Sequence, residues 1–237
     1  MDTKIPGLDS LVLPKRDGFA QQLLLDAAEG LGRYGSMCGH PLAGNVLDIG
    51  AHYGTYTIQA LAAGAKHVVC VEPAAQNLMM LTANMKANKL EGRVSLVEAA
   101  VWNGPGTSIP LRRSVEGNSG QYSVMFNDYH AIDRVVPTVT LDGILAYRQE
   151  WAIVKIDIEG GEWSFLTGPK DVKRFANLEF LDLEVHPLDA PGYFDVGKEP
   201  VRYVDEVAEW FTAGGARVEW TVAHPLRLFV AWTPSTP

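Results

Sequence analysis

Cysteine is scarce in this sequence, and long basic or apolar runs are missing; each absence excludes a class of protein. Two cysteines, Cys38 and Cys70, are too few for a disulfide framework, so we expect no disulfide between them. No apolar run reaches the roughly 20 residues that a helix needs to cross a bilayer, so no membrane association is expected. The net charge of −8, without a Lys- or Arg-rich run, disfavours a nucleic-acid partner.

The amino-terminal sequence also lacks the pattern of a secretory signal, because no basic start is followed by a long apolar core. We therefore expect no signal peptide and a cytoplasmic protein. The 47% of hydrophobic residues supply a sizeable core, and 237 residues fit one ordinary domain. The sequence leaves open whether the chain forms a homo-oligomer.

Strands and helices alternate from residue 45 onwards. The pattern predicts strands over 45–51, 67–73 and 93–101, with helices over 54–64 and 74–90. Later segments are predicted as short strands between 107 and 141, a helix from residue 161, a strand over 178–186, a helix over 201–213 and a carboxyl-terminal hairpin. This alternation predicts an α/β three-layer sandwich with a mostly parallel sheet, and ligands in such sheets bind beyond the carboxyl ends of the strands.

The first strand leads into the turn VLDIGAHYGTYT. Gly50 permits a tight turn, and Gly54 lets the next helix pack close to the sheet. The exposed amides at that helix start suit an anion, and Asp48 can accept hydrogen bonds from an ammonium group or from loop amides. His52 stands where a nicotinamide-binding turn would have glycine, and a plain turn without a ligand is the alternative.

Acidic residues end the second and third strands. Glu72 lies about twenty positions after the glycine turn, where a carboxylate commonly accepts hydrogen bonds from ribose hydroxyls. The alternative for Glu72 is a solvated strand-end carboxylate. Glu98 and Ala99 end the third strand, where the small Ala99 would let a flat base lie close; an ordinary strand end is equally compatible.

The segment VKIDIEGGEW carries charges on one face of an apolar strand. Lys155, Asp157 and Glu159 alternate with aliphatic residues, so they share one side. Burying a charge costs several kcal/mol unless it is paired or wet. We therefore expect Asp157 and Glu159 to line a polar cleft at the end of this strand.

The segment LEFLDLEVHP repeats this pattern. Asp182, Glu184 and His186 share one face, and we expect them to point into the same cleft. An internal ion-pair network that includes Lys155 is the alternative interpretation of both segments.

In order and spacing, VLDIGAHYGTYT, VVCVEP, VEAAV, VTLDGIL and VKIDIEGGEW resemble the FkbM-type family of S-adenosylmethionine-dependent methyltransferases over about residues 45–187. The resemblance implies the seven-stranded class I, Rossmann-like methyltransferase fold and methyl transfer, usually to oxygen. It further implies roles for the residues already singled out. The methionine part of the donor would lie at Asp48, Gly50 and Gly54, the ribose at Glu72, the adenine near Glu98 and Ala99, and the methyl group near Asp157. His52 departs from the family pattern, which usually has Asn there, and is expected still to hydrogen-bond the donor.

The resemblance covers the middle of the chain, so we divide it into two parts. Residues 1–44, with a helix over 18–31, are expected to form an extension that covers the cofactor or acceptor site. Residues 45–237 are expected to form the methyltransferase domain. Tyr122, Tyr129 and His130 are candidate acceptor contacts.

A hydroxyl on a small molecule or glycan is the expected acceptor. The enzyme must align acceptor and methyl group, and such positioning can supply about 7–11 kcal/mol. A hydroxyl must also lose its proton, so His186 is predicted as the general base, Asp157 as the second candidate, and Glu184 as the group that orients the imidazole. A divalent cation held by Asp157 and Glu159 is an alternative means of activation.

Two other functions remain alternatives at this point. One is a catalytically inactive module of the same fold that binds a nucleoside or a protein partner. The other is a nicotinamide-dependent oxidoreductase, against which the missing second glycine of the turn argues.

Overall fold

The fold is built from the residues that the computed structural model describes, namely 20–113, 122–125, 131–148, 150–186, 200–221 and 226–232. Their strands are, in chain order, β1 (Asn45–Ile49), β2 (His67–Val71), β3 (Val94–Val97), β4 (Ala100–Val101), β5 (Ser108–Arg113), β6 (Tyr122–Ser123), β7 (Ala131–Val139), β8 (Ile153–Ile156), β9 (Phe180–Val185), β10 (Arg217–Thr221) and β11 (Leu226–Ala231). Their helices are α1 (Ala20–Cys38), α2 (Thr55–Ala63), α3 (Ala75–Ala87), α4 (Leu141–Leu145) and α5 (Pro200–Ala213). Short 3-10 helices span Glu91–Arg93, Gly161–Ser164 and Pro169–Phe175.

The main sheet has the strand order β10-β11-β9-β8-β1-β2-β3. Its neighbouring strands from β9 to β3 pair in parallel, whereas β11 is antiparallel to both β9 and β10. A second sheet has the order β4-β7-β5-β6. The predicted α/β fold with a seven-stranded, mostly parallel sheet and a carboxyl-terminal hairpin is confirmed. None of the described helices is both long enough and apolar enough to span a membrane.

Apolar side chains on the two faces of the main sheet bury two separate clusters, which gives three layers. On one face Leu47 of β1 belongs to a cluster with Phe175 and with Phe211 of α5. On the other face Val46 of β1 belongs to a cluster with Tyr34 of α1. Successive residues of a strand point to opposite faces, so each central strand contributes to both clusters.

Charged side chains cross the face of the sheet that α1 covers. Asp48, Lys155 and Asp182 lie in register on β1, β8 and β9. Arg227 of β11 donates to both oxygens of Asp182, at 2.6 and 2.5 Å, and to the backbone oxygen of Asp26 in α1, at 2.7 Å. The internal ion-pair network that was the alternative interpretation is therefore present, and Asp182 belongs to it rather than to a cleft.

Helix α1 ends at Cys38 rather than near residue 31, so it includes the glycine-containing segment GRYGSMC, residues 32–38. Tyr34 explains this extension: its side chain is buried, packs edge-on against Phe180 at 5.6 Å between ring centroids, and donates to Glu179 at 3.1 Å. These contacts, made within this segment, fix the last turns of α1 on the sheet.

Two further predictions of secondary structure were wrong in detail. The strand predicted over 93–101 is broken at Glu98 and Ala99, because β3 pairs with β2 whereas β4 pairs with β7 of the second sheet. The helix predicted from residue 161 is instead two 3-10 helices, separated by residues 165–168, and the second of them begins at Pro169. Both cysteines are free, as predicted, and Cys70 is buried.

The close contact of α1 with the sheet depends on Gly30. A side chain there would overlap the carboxylate of Asp182, whereas one at Gly35 of the same helix would meet no atom within 4 Å. We expect Gly30→Ala to lower the free energy of unfolding by about 1–3 kcal/mol through overpacking. Gly35→Ala should raise it by about 0.5–1 kcal/mol, because alanine favours the helix. Urea denaturation measures both; equal effects of the two substitutions would contradict this account of the helix.

Candidate active site

A cavity of about 220 Å³ opens at the carboxyl ends of the central parallel strands. One water needs only about 10–15 Å³, so the cavity has room for a small organic molecule. Its walls come from the ends of β1, β2, β8 and β9, from α1, and from the second sheet. This is the position at which ligands bind in open parallel sheets.

The turn after β1 brings its backbone against the end of β8. Gly50 has a φ of +79°, and a side chain there would overlap the backbone oxygen of Asp157. His52 also has a positive φ, of 49°, and its ring stacks on Tyr53 with 3.7 Å between centroids. Gly50, His52 and Asp157 all line the cavity. Glycine at position 50 is therefore required by the close approach of two backbones.

Glu72 lies at the end of β2 and is only 4% exposed, yet it lines the cavity. One carboxylate oxygen accepts from the backbone N–H of His52 at 3.0 Å. The other accepts from the N–H of Ala74 at 2.9 Å and from the amide of Asn77 at 3.2 Å. Burial raises the pKa of Glu72 and these donors oppose the rise. A carboxylate has about four acceptor positions, so three protein donors leave room for a ligand hydroxyl.

Asp48 and Gly54 support the turn from outside the cavity. Asp48 is fully buried, accepts from the hydroxyl of Thr57 at 2.6 Å and lies 3.6 Å from the ammonium of Lys155. Gly54, with a φ of +80°, precedes α2 and packs against Leu81. Neither residue lines the cavity, so their position does not favour the predicted direct contact with the donor.

The two residues predicted near a base separate in the structure. Ala99 is buried and lines the cavity, as an adenine-facing residue should. Glu98 is half-exposed, lies 3.3 Å from Arg134 and does not line the cavity. The break between β3 and β4 falls here, and only one of the pair faces the cavity.

Lys155 connects the turn to the acidic end of the cavity. Its ammonium donates to the backbone oxygen of Gly50 at 2.8 Å and lies 3.3 Å from the carboxylate of Asp157. Burial alone would lower the pKa of Lys155, but Asp157 and Asp48 raise it, so the side chain stays charged. Lys155 in turn opposes the effect of burial on Asp157, whose pKa is lowered overall. Asp157 is therefore a carboxylate anion.

Three carboxylates meet at the ends of β8 and β9, where Asp157, Glu159 and Glu184 all line the cavity. Glu159 has a φ of +53°, and its backbone oxygen accepts from the hydroxyl of Ser123 at 2.5 Å. Burial and the charge of Asp157 raise the pKa of Glu184 well above its usual range. The predicted convergence of acidic groups from two neighbouring strands is therefore found in the structure.

His186 lies beneath these carboxylates and is not among the residues that line the cavity. Its Nδ1 is 3.3 Å from Glu162, so Glu162 rather than Glu184 orients the imidazole. Burial alone would lower the pKa of His186, but Glu159, Glu162 and Glu184 raise it well above its usual range. The neighbouring carboxylates thus favour the protonated imidazole, and the ring does not line the cavity; both observations count against His186 as general base.

Sequence analysis singled out no individual residue of α1 for the site. Leu23, Asp26 and Glu29 of this helix line the cavity, whereas the covering role and the boundary of an extension over residues 1–44 stay predictions. The spacing of Asp26 and Glu29, three apart on a helix, was the available signal for one acidic face.

The second sheet forms the opposite wall of the cavity. Tyr122, Ser123 and Val124 line it, as the candidate role of Tyr122 requires. The other candidate acceptor contacts, Tyr129 and His130, lie outside the described residues.

Comparison with known structures identifies the class of the fold. Precorrin-6y C5,15-methyltransferase from Geobacter metallireducens GS-15 is 17% identical over 97% of this chain and 100% of its own, with a TM-score of 0.52. Ribosomal protein L11 methylase from Lactobacillus delbrueckii subsp. bulgaricus is 10% identical over 90% of this chain and 80% of its own, with a TM-score of 0.50. These likenesses show a methyltransferase fold, and no curated protein sequence matches the chain.

The chain belongs to the FkbM methyltransferase family, because the model of the methyltransferase FkbM domain matches residues 48–218. An FkbM methyltransferase from Methylobacillus flagellatus KT is 14% identical, with a TM-score of 0.49. That match covers 79% of this chain, which spans 43% of the length of the M. flagellatus protein. The family that the sequence motifs resemble is thus confirmed.

The buried ion pairs of Lys155 provide a test of how the site is held together. Lys155→Met leaves the carboxylate of Asp48 buried without a cation and should lower the free energy of unfolding by about 3–5 kcal/mol. The double substitution Asp48→Asn with Lys155→Met removes both charges and should recover part of the loss, as a double-mutant cycle in urea would show.

The exposed residue Lys170 gives the matched control. Lys170→Met should change stability by no more than about 0.5 kcal/mol. A double variant no more stable than Lys155→Met alone would contradict the coupling of Lys155 with Asp48.

Proposed function

We propose that this protein transfers a methyl group from S-adenosylmethionine to a hydroxyl on a small molecule or glycan. One observation carries the proposal: a single cavity has Glu72 and Ala99 at one end and Asp157 and Glu184 at the other. The first pair suits a nucleoside and the second suits a methyl group and its acceptor.

The donor fits the residues that are present. Gly50 leaves the backbone of the turn open to a ligand, and Glu72 keeps an acceptor position for a ribose hydroxyl. Asp157 is an anion beside this turn, where it would favour the positive sulfonium. When bound, the donor supplies an activated methyl group, and its sulfur leaves with the electron pair of the broken C–S bond.

The charge of the cavity favours an acceptor without phosphate. Six carboxylate side chains line it, on Asp26, Glu29, Glu72, Asp157, Glu159 and Glu184. Arg227 also lines it, but its guanidinium is already bound to Asp182. Phosphate groups would meet repulsion here, so we propose a neutral acceptor and no nucleic-acid partner.

Glu184 is the group that we propose takes the proton from the acceptor hydroxyl. Its raised pKa makes Glu184 a stronger proton acceptor than an ordinary carboxylate, which suits a general base. Asp157 would hold the hydroxyl in line with the methyl group, and the new C–O bond forms as Glu184 accepts the proton. His186 holds the carboxylates in place from below.

Binding of the donor can be tested with its demethylated product. Glu72→Gln removes one charged acceptor of a ribose hydrogen bond, worth about 1.5–3 kcal/mol, and should weaken product binding about tenfold to a hundredfold. Isothermal titration calorimetry measures this affinity, and Glu91→Gln, on an exposed 3-10 helix, should leave it unchanged. If the unaltered protein binds no product, the proposed donor is wrong.

Proton removal can be separated from donor binding. Glu184→Gln should lower kcat by about 10²–10⁴ with product affinity unchanged, because only the base is lost. Transfer of a radiolabelled methyl group to a panel of hydroxyl acceptors measures kcat. An unaltered protein that binds product yet labels no member of the panel would instead support a non-catalytic nucleoside-binding module.

A further inference from the structure

We propose that Asp157, Glu159 and His186 form a binding site for a first-row divalent metal ion at the acceptor end of the cavity. One ligand atom from each residue lies within 4.8 Å of the others. Nε2 of His186 is 3.6 Å from Glu159 and 3.9 Å from Asp157. Two ligands bound to one ion at about 2.0–2.3 Å each lie roughly 3–4 Å apart, so these spacings suit a shared ion.

The imidazole of His186 is oriented as metal-binding histidines are. Its Nδ1 faces a carboxylate oxygen of Glu162, and that same oxygen accepts from the N–H of Ile158 at 2.8 Å, which fixes Glu162. Histidine ligands of metals commonly use their second ring nitrogen in this way. The other ring nitrogen, Nε2, faces carboxylate oxygens of Asp157, Glu159 and Glu184 at 3.6–3.9 Å. This nitrogen of a buried side chain, directed at the oxygens of Asp157 and Glu159, is the observation that points to an ion, which would take the place of the Nε2 proton.

The charges around this point also favour a dication. Asp157, Glu159, Glu162 and Glu184 all lie within 3.9 Å of the imidazole. Two cations among the described residues lie near this point: Lys155, at 3.3 Å from Asp157, is shared with Asp48, and Arg227 is paired with Asp182. A bound dication would offset the excess of negative charge, which is costly in a site with little water.

The ligand types indicate which metal to expect. Two carboxylates with one imidazole suit a first-row divalent ion such as Mn²⁺. Asp157 and Glu159 line the cavity, so the remaining positions of the ion would face the acceptor. Resting on the proposed function, a hydroxyl bound there would be polarised by the ion and would pass its proton to Glu184 more readily.

Manganese binding to the full chain tests the site directly. After treatment with a chelator, we expect the protein to bind one added Mn²⁺ per chain. Electron paramagnetic resonance measures this binding as the loss of the signal of the free ion. Glu159→Gln and His186→Gln should each weaken binding about tenfold or more. Glu209→Gln, an exposed carboxylate on α5, should leave the affinity unchanged.

A second readout uses the unaltered protein and does not depend on a variant that folds. Bound Mn²⁺ should broaden the nuclear magnetic resonance signals of the His186 ring but not those of the His67 ring, which lies at the amino end of β2. The proposed site would be overturned if both variants bound Mn²⁺ as tightly as the unaltered protein. Binding of less than about 0.1 ion per chain by the unaltered protein, or His186 signals that Mn²⁺ does not broaden, would overturn it as well. Product binding measured in excess chelator tests the proposed donor separately, so either conclusion can fail alone.

Discussion

The site depends on one buried ammonium group. Lys155 lies between Asp48 under the turn and Asp157 at the cavity, and donates to the backbone of that turn at Gly50. Lys155 thereby links the ends of β1 and β8 and is the largest of the charges that lower the pKa of Asp157. Together with the backbone hydrogen bond from Asp157 to Ile49, at 3.1 Å, these contacts fix the position of Asp157 relative to the turn.

A second ion pair fixes the helix that covers the sheet. Arg227 of β11 binds Asp182 of β9 and the backbone oxygen of Asp26 in α1. The absence of a side chain at Gly30 leaves space for the Arg227–Asp182 ion pair. The same helix places Asp26 and Glu29 in the cavity wall. The contact that helps to hold α1 on the sheet therefore also positions two of the carboxylates that line the cavity.

Local pattern and spacing were enough to predict the sheet and the acidic end of the cavity. The alternation of strands and helices indicated the sheet, and the charges of two apolar strands indicated the acidic groups. Which charges pair with each other could not be predicted, because Asp182 and Glu184 share one pattern although one binds Arg227 and the other faces the cavity. The state of His186 depends on Glu162, which meets it only after folding. The path of the chain after β3 depends on pairing with β7, a partner distant in sequence.

The break at Glu98 and Ala99 separates two structural units that share one cavity. Strands before the break lead into Gly50 and Glu72 on one wall of the cavity, whereas the small sheet that starts at Ala100 supplies Leu111, Tyr122 and Ser123 to the opposite wall. The small sheet is not hydrogen-bonded into the ladder of the large one. Under the proposed function, substitutions in this appended wall would change which acceptor is selected without altering Gly50 and Glu72, the residues proposed to hold the donor.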